Sequence, residues 1–312
     1  MTTIILSFNV IMPLIILLAI GFIIRRKNMI STQAIIDMNN IVYFLLLPLN
    51  LFKNIYHSDF SVDFDVSLIA FCIIAIILTI IMIAIIVMIL VKDPTKRAAV
   101  IQASFRGNFV IFGLPLATSL YGDQIGGMVS IVIAFTVPIT NVLAVVCLET
   151  FSKNKLSFKS IVKSVLLNPM IIASLLAIVL VITNIKIPTF ADSSITLVSQ
   201  ATTTLSLIIL GTSFHFHQKT ENMRLIALGV MNKLVIFPIA IVVVAIMLGF
   251  RNEQLVVIMS LFSAPAAISC FPMAAKMGAD KELTSGIVVY TYVFCVLTIF
   301  IFIYALKSLF LI

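Results

Sequence analysis

Ser104-Phe105-Arg106-Gly107-Asn108-Phe109, continuing to Gly113-Leu114-Pro115, interrupts an apolar run with a cation, an amide, two glycines and a proline. Proline removes a helical hydrogen bond and clashes with the preceding turn. Glycine lets the backbone leave helical geometry at little steric cost. A second stretch, Ser263-Ala264-Pro265-Ala266-Ala267-Ile268-Ser269, has the same character. Both stretches sit in long apolar sequence, and that setting decides what they mean.

The chain has 312 residues, of which 62% are hydrophobic and only 10% charged. Soluble domains average roughly 45–50% apolar and about 25% charged. A chain this long cannot hide such a surplus in one core while covering its surface with polar groups, so lipid is the expected solvent. A crossing helix needs about 20 mostly apolar residues. That template predicts ten spans, near 4–24, 32–54, 66–91, 98–121, 125–148, 162–184, 194–214, 224–249, 254–276 and 283–311. The two interrupted stretches fall in spans four and nine. The first apolar stretch is too long for a cleavable signal and ends in Arg25-Arg26-Lys27. Cys72, Cys147, Cys270 and Cys295 lie in apolar runs without disulfide or metal spacing and read as free thiols.

Lysine and arginine set orientation. Arg25, Arg26, Lys27, Lys92, Lys96, Arg97, Lys153, Lys155, Lys159, Lys163, Lys219, Arg224, Lys276 and Lys281 all fall on one side, a total of 14. Only Lys53, Lys186, Arg251 and Lys307, a total of 4, fall on the other. The first side is expected to be cytoplasmic, which places both termini outside a cell membrane crossed many times. The net charge of +8 is then a topology signal and not a nucleic-acid patch. The longest loop, 149–163, separates residues 1–148 from 164–312, with five spans in each part. Five is odd, so two similar halves must insert in opposite orientations. Pro13-Leu14-Ile15-Ile16 matches Pro169-Met170-Ile171-Ile172 at an offset of 156. Pro115-Leu116-Ala117 with Asp123 matches Pro272-Met273-Ala274 with Asp280 at an offset of 157. Two matches at nearly one offset point to an inverted repeat.

At 1.5 Å per residue, Asn108 lies about 15 Å into span four and Pro265 about 16 Å into span nine. Both depths approach the midplane of a hydrocarbon core about 30 Å thick. If each span breaks there, two helix N-termini begin near one another, and their free N–H groups favour an anion. The alternative is a pair of proline kinks in continuous helices. Lys233 lies about 14 Å deep in span eight. Arg106 and Lys233 either snorkel and cap freed carbonyls or attract an anionic substrate. Asn141, in Val137-Pro138-Ile139-Thr140-Asn141, is a midspan amide able to bond substrate or a neighbouring helix. No acid falls near a midplane, which argues against a cation pathway. His215-x-His217 reads as a solvated cytoplasmic turn and not a metal site, and no cofactor is expected. Ser104, Ser263 and Ser269 lack an intramembrane histidine or aspartate to activate them, so an enzyme is not expected. A channel would want a continuous polar stripe, and no phosphate-binding loop of an ATPase occurs.

Arg106-Gly107-Asn108, Gly113-Leu114-Pro115-Leu116 and Tyr121-Gly122 together resemble the fourth-helix signature of the auxin efflux carrier family, which includes bacterial permeases for malate and other organic acids. Leu47-Pro48 with Phe52, Asn141-Val142-Leu143-Ala144-Val145, Asn168-Pro169 and Ala264-Pro265-Ala266-Ala267 extend the resemblance over the chain. It implies an all-α membrane protein with ten helices in two inverted five-helix repeats, similar to bile-acid/sodium symporters. Helices four and nine would be broken and crossing, and helices 3–5 and 8–10 would move against a scaffold of 1, 2, 6 and 7. By position, Gly107-Asn108 and Pro265-Ala266 would form the crossover, with Asn108, Asn141 and Ala266 in the substrate site. Arg106 and Lys233 join them as candidate anion-attracting groups. The implied function is elevator-type transport of a small organic anion, a carboxylate such as malate or an auxin-like acid, with a membrane sensor or channel as the alternative. A coupled proton or sodium ion and a homodimer are left open. Family members often carry glycine where this chain has Val110, and proline near Thr204.

Overall fold

A computed structural model describes residues 2–57, 65–122, 125–151, 162–163, 166–212 and 220–312. These residues are helical apart from short connections, and six helices among them are long and apolar enough to cross a membrane. Helix α1 is Thr2–Arg26. Helix α2 runs as Thr32–Ile41, a π-helical stretch Val42–Leu46, and Leu47–Tyr56. Helix α3 is Val66–Leu90. The stretch expected as the fourth span is two pieces, α4 (Pro94–Phe105) and α5 (Leu114–Tyr121), the latter entered through a π-helical stretch Phe109–Gly113. Helices α6 (Gly126–Thr150), α7 (Pro169–Ile182) and α8 (Thr189–Thr212) follow. Helix α9 runs as Thr220–Met231, a π-helical stretch Asn232–Ile236, and Phe237–Met247. The stretch expected as the ninth span is again two pieces, α10 (Asn252–Ser263) and α11 (Cys270–Met277), and α12 (Lys281–Ser308) closes the order.

The helix starts are written in short polar residues. Ser31, Asp65, Asp93, Asn168 and Asp280 each accept backbone N–H bonds from the first turn that follows, which satisfies donors that have no intrahelical acceptor. The hydroxyl and N–H of Thr95 hold the Asp93 carboxyl below the usual carboxylate range. Residues 162–163 and 166 are already helical, and Asn168 with Pro169 at the first helical position starts α7 as a new helix within the expected span. Helix α8 starts earlier than expected, at Thr189, and passes Thr204 without interruption.

The three π-helical stretches share one cause. Each ends two residues before a proline, namely Pro48, Pro115 and Pro238. A proline ring collides with the carbonyl four residues earlier. In all three cases that residue (Phe44, Ile111 or Leu234) lies within the widened stretch, and one wide turn makes room for the ring without ending the helix.

Packing favours two groups of contacts, with α1 also lying against α12 of the second. Helix α1 lies along α8, and the second half of α2 lies against both α7 and α8. Gly21 and Gly211 form the closest approach of α1 to α8. A β-carbon at Gly21 would collide with the Ile208 carbonyl, and one at Gly211 with the Leu18 carbonyl. Small residues permit such contacts where lipid supplies no hydrophobic drive between helices. Separately, α4 packs on α3, α6 and α12, while α9 packs on α10 and α12. All four cysteines are buried and unbridged.

Candidate functional site

The stretches expected as spans four and nine are interrupted, not kinked. Helix α4 ends at Phe105, and Arg106 turns extended at φ −80°, ψ 116°. Helix α10 ends at Ser263, and Ala264 is likewise extended at ψ 143°. The two breaks pair with each other. Asn108 N donates to the Pro265 carbonyl at 2.8 Å, and Ala267 N donates to the Arg106 carbonyl at 3.1 Å. Gly107 and Ala266 thereby form an isolated antiparallel bridge. The Ala266 N–H is taken by Thr291 Oγ1 at 3.1 Å. Unpaired backbone groups are costly away from water, so each break supplies the other's missing partners.

A cavity of about 90 Å³ adjoins this bridge. One wall is the crossing of the two breaks, with Arg106, Gly107, Asn108, Phe109 and Val110 from one and Ala267, Ile268 and Ser269 from the other. Phe109 opens the turn that leads into α5, and Ser269 directly precedes α11 without a side-chain capping bond. Both helix starts therefore reach the cavity with their positive ends. Thr140 and Asn141 of α6 form the side. Leu47, Asn50, Leu51 and Asn54 of α2, with Thr202, Thr203 and Ser206 of α8, form the wall opposite.

Arg106 is 5% exposed. Its guanidinium donates to Asn141 Oδ1 and to the Met273 sulfur. No carboxylate pairs with it among the described residues. Arg106 therefore does not snorkel but remains at depth against α6 and α11. Asn141 spends its oxygen on Arg106, and its Nδ2, although buried, has no protein partner. Asn108 donates to the hydroxyl of Tyr292, a fully buried side chain.

Lys233 and Ala266 stand apart from the cavity wall. The Lys233 ammonium donates to the Phe262 carbonyl at 3.1 Å, in the last turn of α10. A cation there complements the negative end of the helix. Its Nζ also backs onto the crossover, since a β-carbon at Gly107 would lie 2.9 Å from it. Pro265 contributes its carbonyl to the bridge and, like Ala266, does not line the cavity. His215 and His217 fall outside the described residues, as does most of the 149–163 loop.

The wall opposite the crossover was not anticipated. Asn50 donates to Ser199 through both its carbonyl and its hydroxyl and accepts from Asn54 at 2.9 Å. Thr202 donates to the Leu46 carbonyl at 3.1 Å. Ser199, Thr202 and Ser206 recur at steps of three and four, so they share one helix face. That polar stripe was the signal available in the sequence.

The model of the family described as "Membrane transport protein" matches residues 6–303 of this chain. The chain is also similar to the "Uncharacterized transporter YfdV" of Escherichia coli K12 and of Shigella flexneri. Each is 22% identical over 273 residues, covering 85% of this chain and 86% of the relative. With a match over nearly its whole length, the chain belongs to this membrane transport protein family, the family of the auxin efflux carriers.

Proposed function

We propose that this protein is a secondary carrier that moves a small organic anion across the cell membrane by elevator-type alternating access. The observation that carries the proposal is the cavity beside the paired breaks. It collects two helix starts and one buried arginine, with no acid in its wall. Fixed donors and a fixed cation at membrane depth select negative charge. Asn108, Asn141 and Arg106 are the proposed substrate contacts. Ala266 and Lys233 act from behind, Ala266 by holding the bridge and Lys233 by fixing the end of α10.

Ten spans in two inverted five-helix repeats, 1–148 and 164–312, fit the paired interruptions of spans four and nine. The packing of α1, α2, α7 and α8 on one another supports a scaffold of spans one, two, six and seven, with the other six spans as the moving part. A substrate screen in proteoliposomes with imposed pH and sodium gradients tests the function. Saturable uptake of a small carboxylate supports it, and uptake confined to cations or neutral solutes contradicts it.

Asn108→Ala is expected to cut transport more than tenfold. It also strands the buried Tyr292 hydroxyl, so it should lower stability by about 1–3 kcal/mol. Tyr292→Phe removes that same hydrogen bond but keeps the amide in the cavity. Near-normal uptake by Tyr292→Phe alongside inactive, folded Asn108→Ala would identify the amide as the functional part. Wild-type uptake by Asn108→Ala would remove it from the site.

The bias of 14 cations to 4 places Lys92 inside the cell and Lys186 outside. Both side chains are exposed. An impermeant thiol reagent added to whole cells should modify Lys186→Cys and spare Lys92→Cys. The reverse pattern would invert the topology.

A further inference from the structure

The two walls of the cavity differ in kind, and the difference constrains the substrate beyond its charge. Arg106 is the one ionisable side chain among the residues that line the cavity. Arg106 is a full charge that matches one carboxylate, and the two helix starts add only partial charge for a second. The opposite wall is polar but uncharged. There Ser206 is 2% exposed, and its hydroxyl has no protein partner. On the crossover side, Asn141 Nδ2 is equally buried and unpartnered. Buried polar groups are nearly always hydrogen-bonded. Of the buried polar atoms without a protein partner among the described residues, these two belong to residues that line this cavity, where a bound molecule can supply what they lack. Asn141 Nδ2 is a pure donor suited to a carboxylate oxygen, and it stands beside the guanidinium. A serine hydroxyl both donates and accepts, which suits a neutral hydroxyl. At about 90 Å³ the cavity is far smaller than the roughly 300–1,000 Å³ of sites for drug-sized ligands, which favours short substrates.

We infer that the preferred substrate is a short monocarboxylate bearing an uncharged hydroxyl, a small hydroxy acid, with Arg106 and Asn141 on the carboxylate and Ser206 on the hydroxyl. This inference rests on the anion-carrier reading above and narrows it. It ranks dicarboxylates such as malate, and aromatic acids of the auxin type, below the short hydroxy acids.

The test measures binding to purified full-length protein, and inhibition of transport in proteoliposomes, at constant ionic strength. The probes are propionate, lactate, succinate, malate and indole-3-acetate. Lactate should bind about fivefold to tenfold more tightly than propionate, the value of one hydrogen bond to an otherwise unpaired group. Succinate and malate should bind more weakly than their monocarboxylate counterparts. Ser206→Ala should erase the advantage of lactate while changing propionate affinity less than twofold, and its melting temperature should not fall, because it deletes an unsatisfied hydroxyl. Tighter binding of malate or indole-3-acetate than of lactate would overturn the inference. So would a lactate advantage that survives in Ser206→Ala. Failure of every carboxylate to bind folded wild-type protein would overturn the anion-carrier reading along with it, whereas carboxylate binding without a hydroxyl preference would overturn the inference alone.

Discussion

Arg106→Gln is expected to weaken carboxylate binding by about tenfold to over a hundredfold and, at the same time, to raise the melting temperature of the empty protein. The first effect is the loss of a charge-assisted hydrogen bond, worth roughly 1.5–3 kcal/mol. The second follows from burial without a counter-ion. A charge at membrane depth costs about 2.5–3.5 kcal/mol on insertion scales, and the contacts of Arg106 are a neutral amide and a thioether sulfur. Glutamine deletes the charge while keeping an uncharged amide donor on a shorter side chain. If the arginine served only to brace α6 against α11, the signs would reverse, with a lower melting temperature and unchanged affinity. Both quantities measured on one preparation separate these outcomes, and a neutral solute provides the control because its binding should change little.

Gly211→Ala should destabilise the protein by about 3 kcal/mol, the upper part of the overpacking range. The added methyl would meet the backbone carbonyl of Leu18 and not a flexible side chain, so helices α1 and α8 must separate. Gly21 makes the mirror contact onto Ile208, so Gly21→Ala should behave alike. Gly126→Ala is the control, because nothing lies within 4 Å of a β-carbon there. Melting of the three purified variants checks this. A Gly211→Ala protein as stable as wild type would mean that α1 and α8 do not meet as described.

The parts of the fold legible in the sequence are those set by local chemistry. Gly107 and Pro265 marked the breaks because glycine and proline act on their own backbone, whatever surrounds them. Long apolar runs marked the helices for the same reason. The start of α7 is written locally too, in Asn168-Pro169, a cap followed by a proline at the first helical position. Pro48, Pro115 and Pro238 were visible, but whether a proline ends a helix or widens one turn depends on what the freed carbonyls meet.

The site was only half legible. Residues on its crossover wall lie close together in sequence, and each is conspicuous in lipid. The far wall joins Asn50 to Ser199 and Thr202 to Leu46 across about 150 residues of chain, and such pairs exist only after folding. Lys233 illustrates the same limit. Its depth was readable, but its partner is the carbonyl of Phe262, which no side-chain pattern announces.

The most direct test of the central claim is counterflow in proteoliposomes. Vesicles holding the purified protein are loaded with an unlabelled short carboxylate and diluted into a trace of the labelled one. An alternating carrier with one anion site should accumulate label transiently above its equilibrium level. The overshoot should saturate with internal substrate and disappear in Asn108→Ala. Label that rises only to equilibrium, at a rate linear in concentration and unchanged in Asn108→Ala, would contradict a carrier with its site at the crossover.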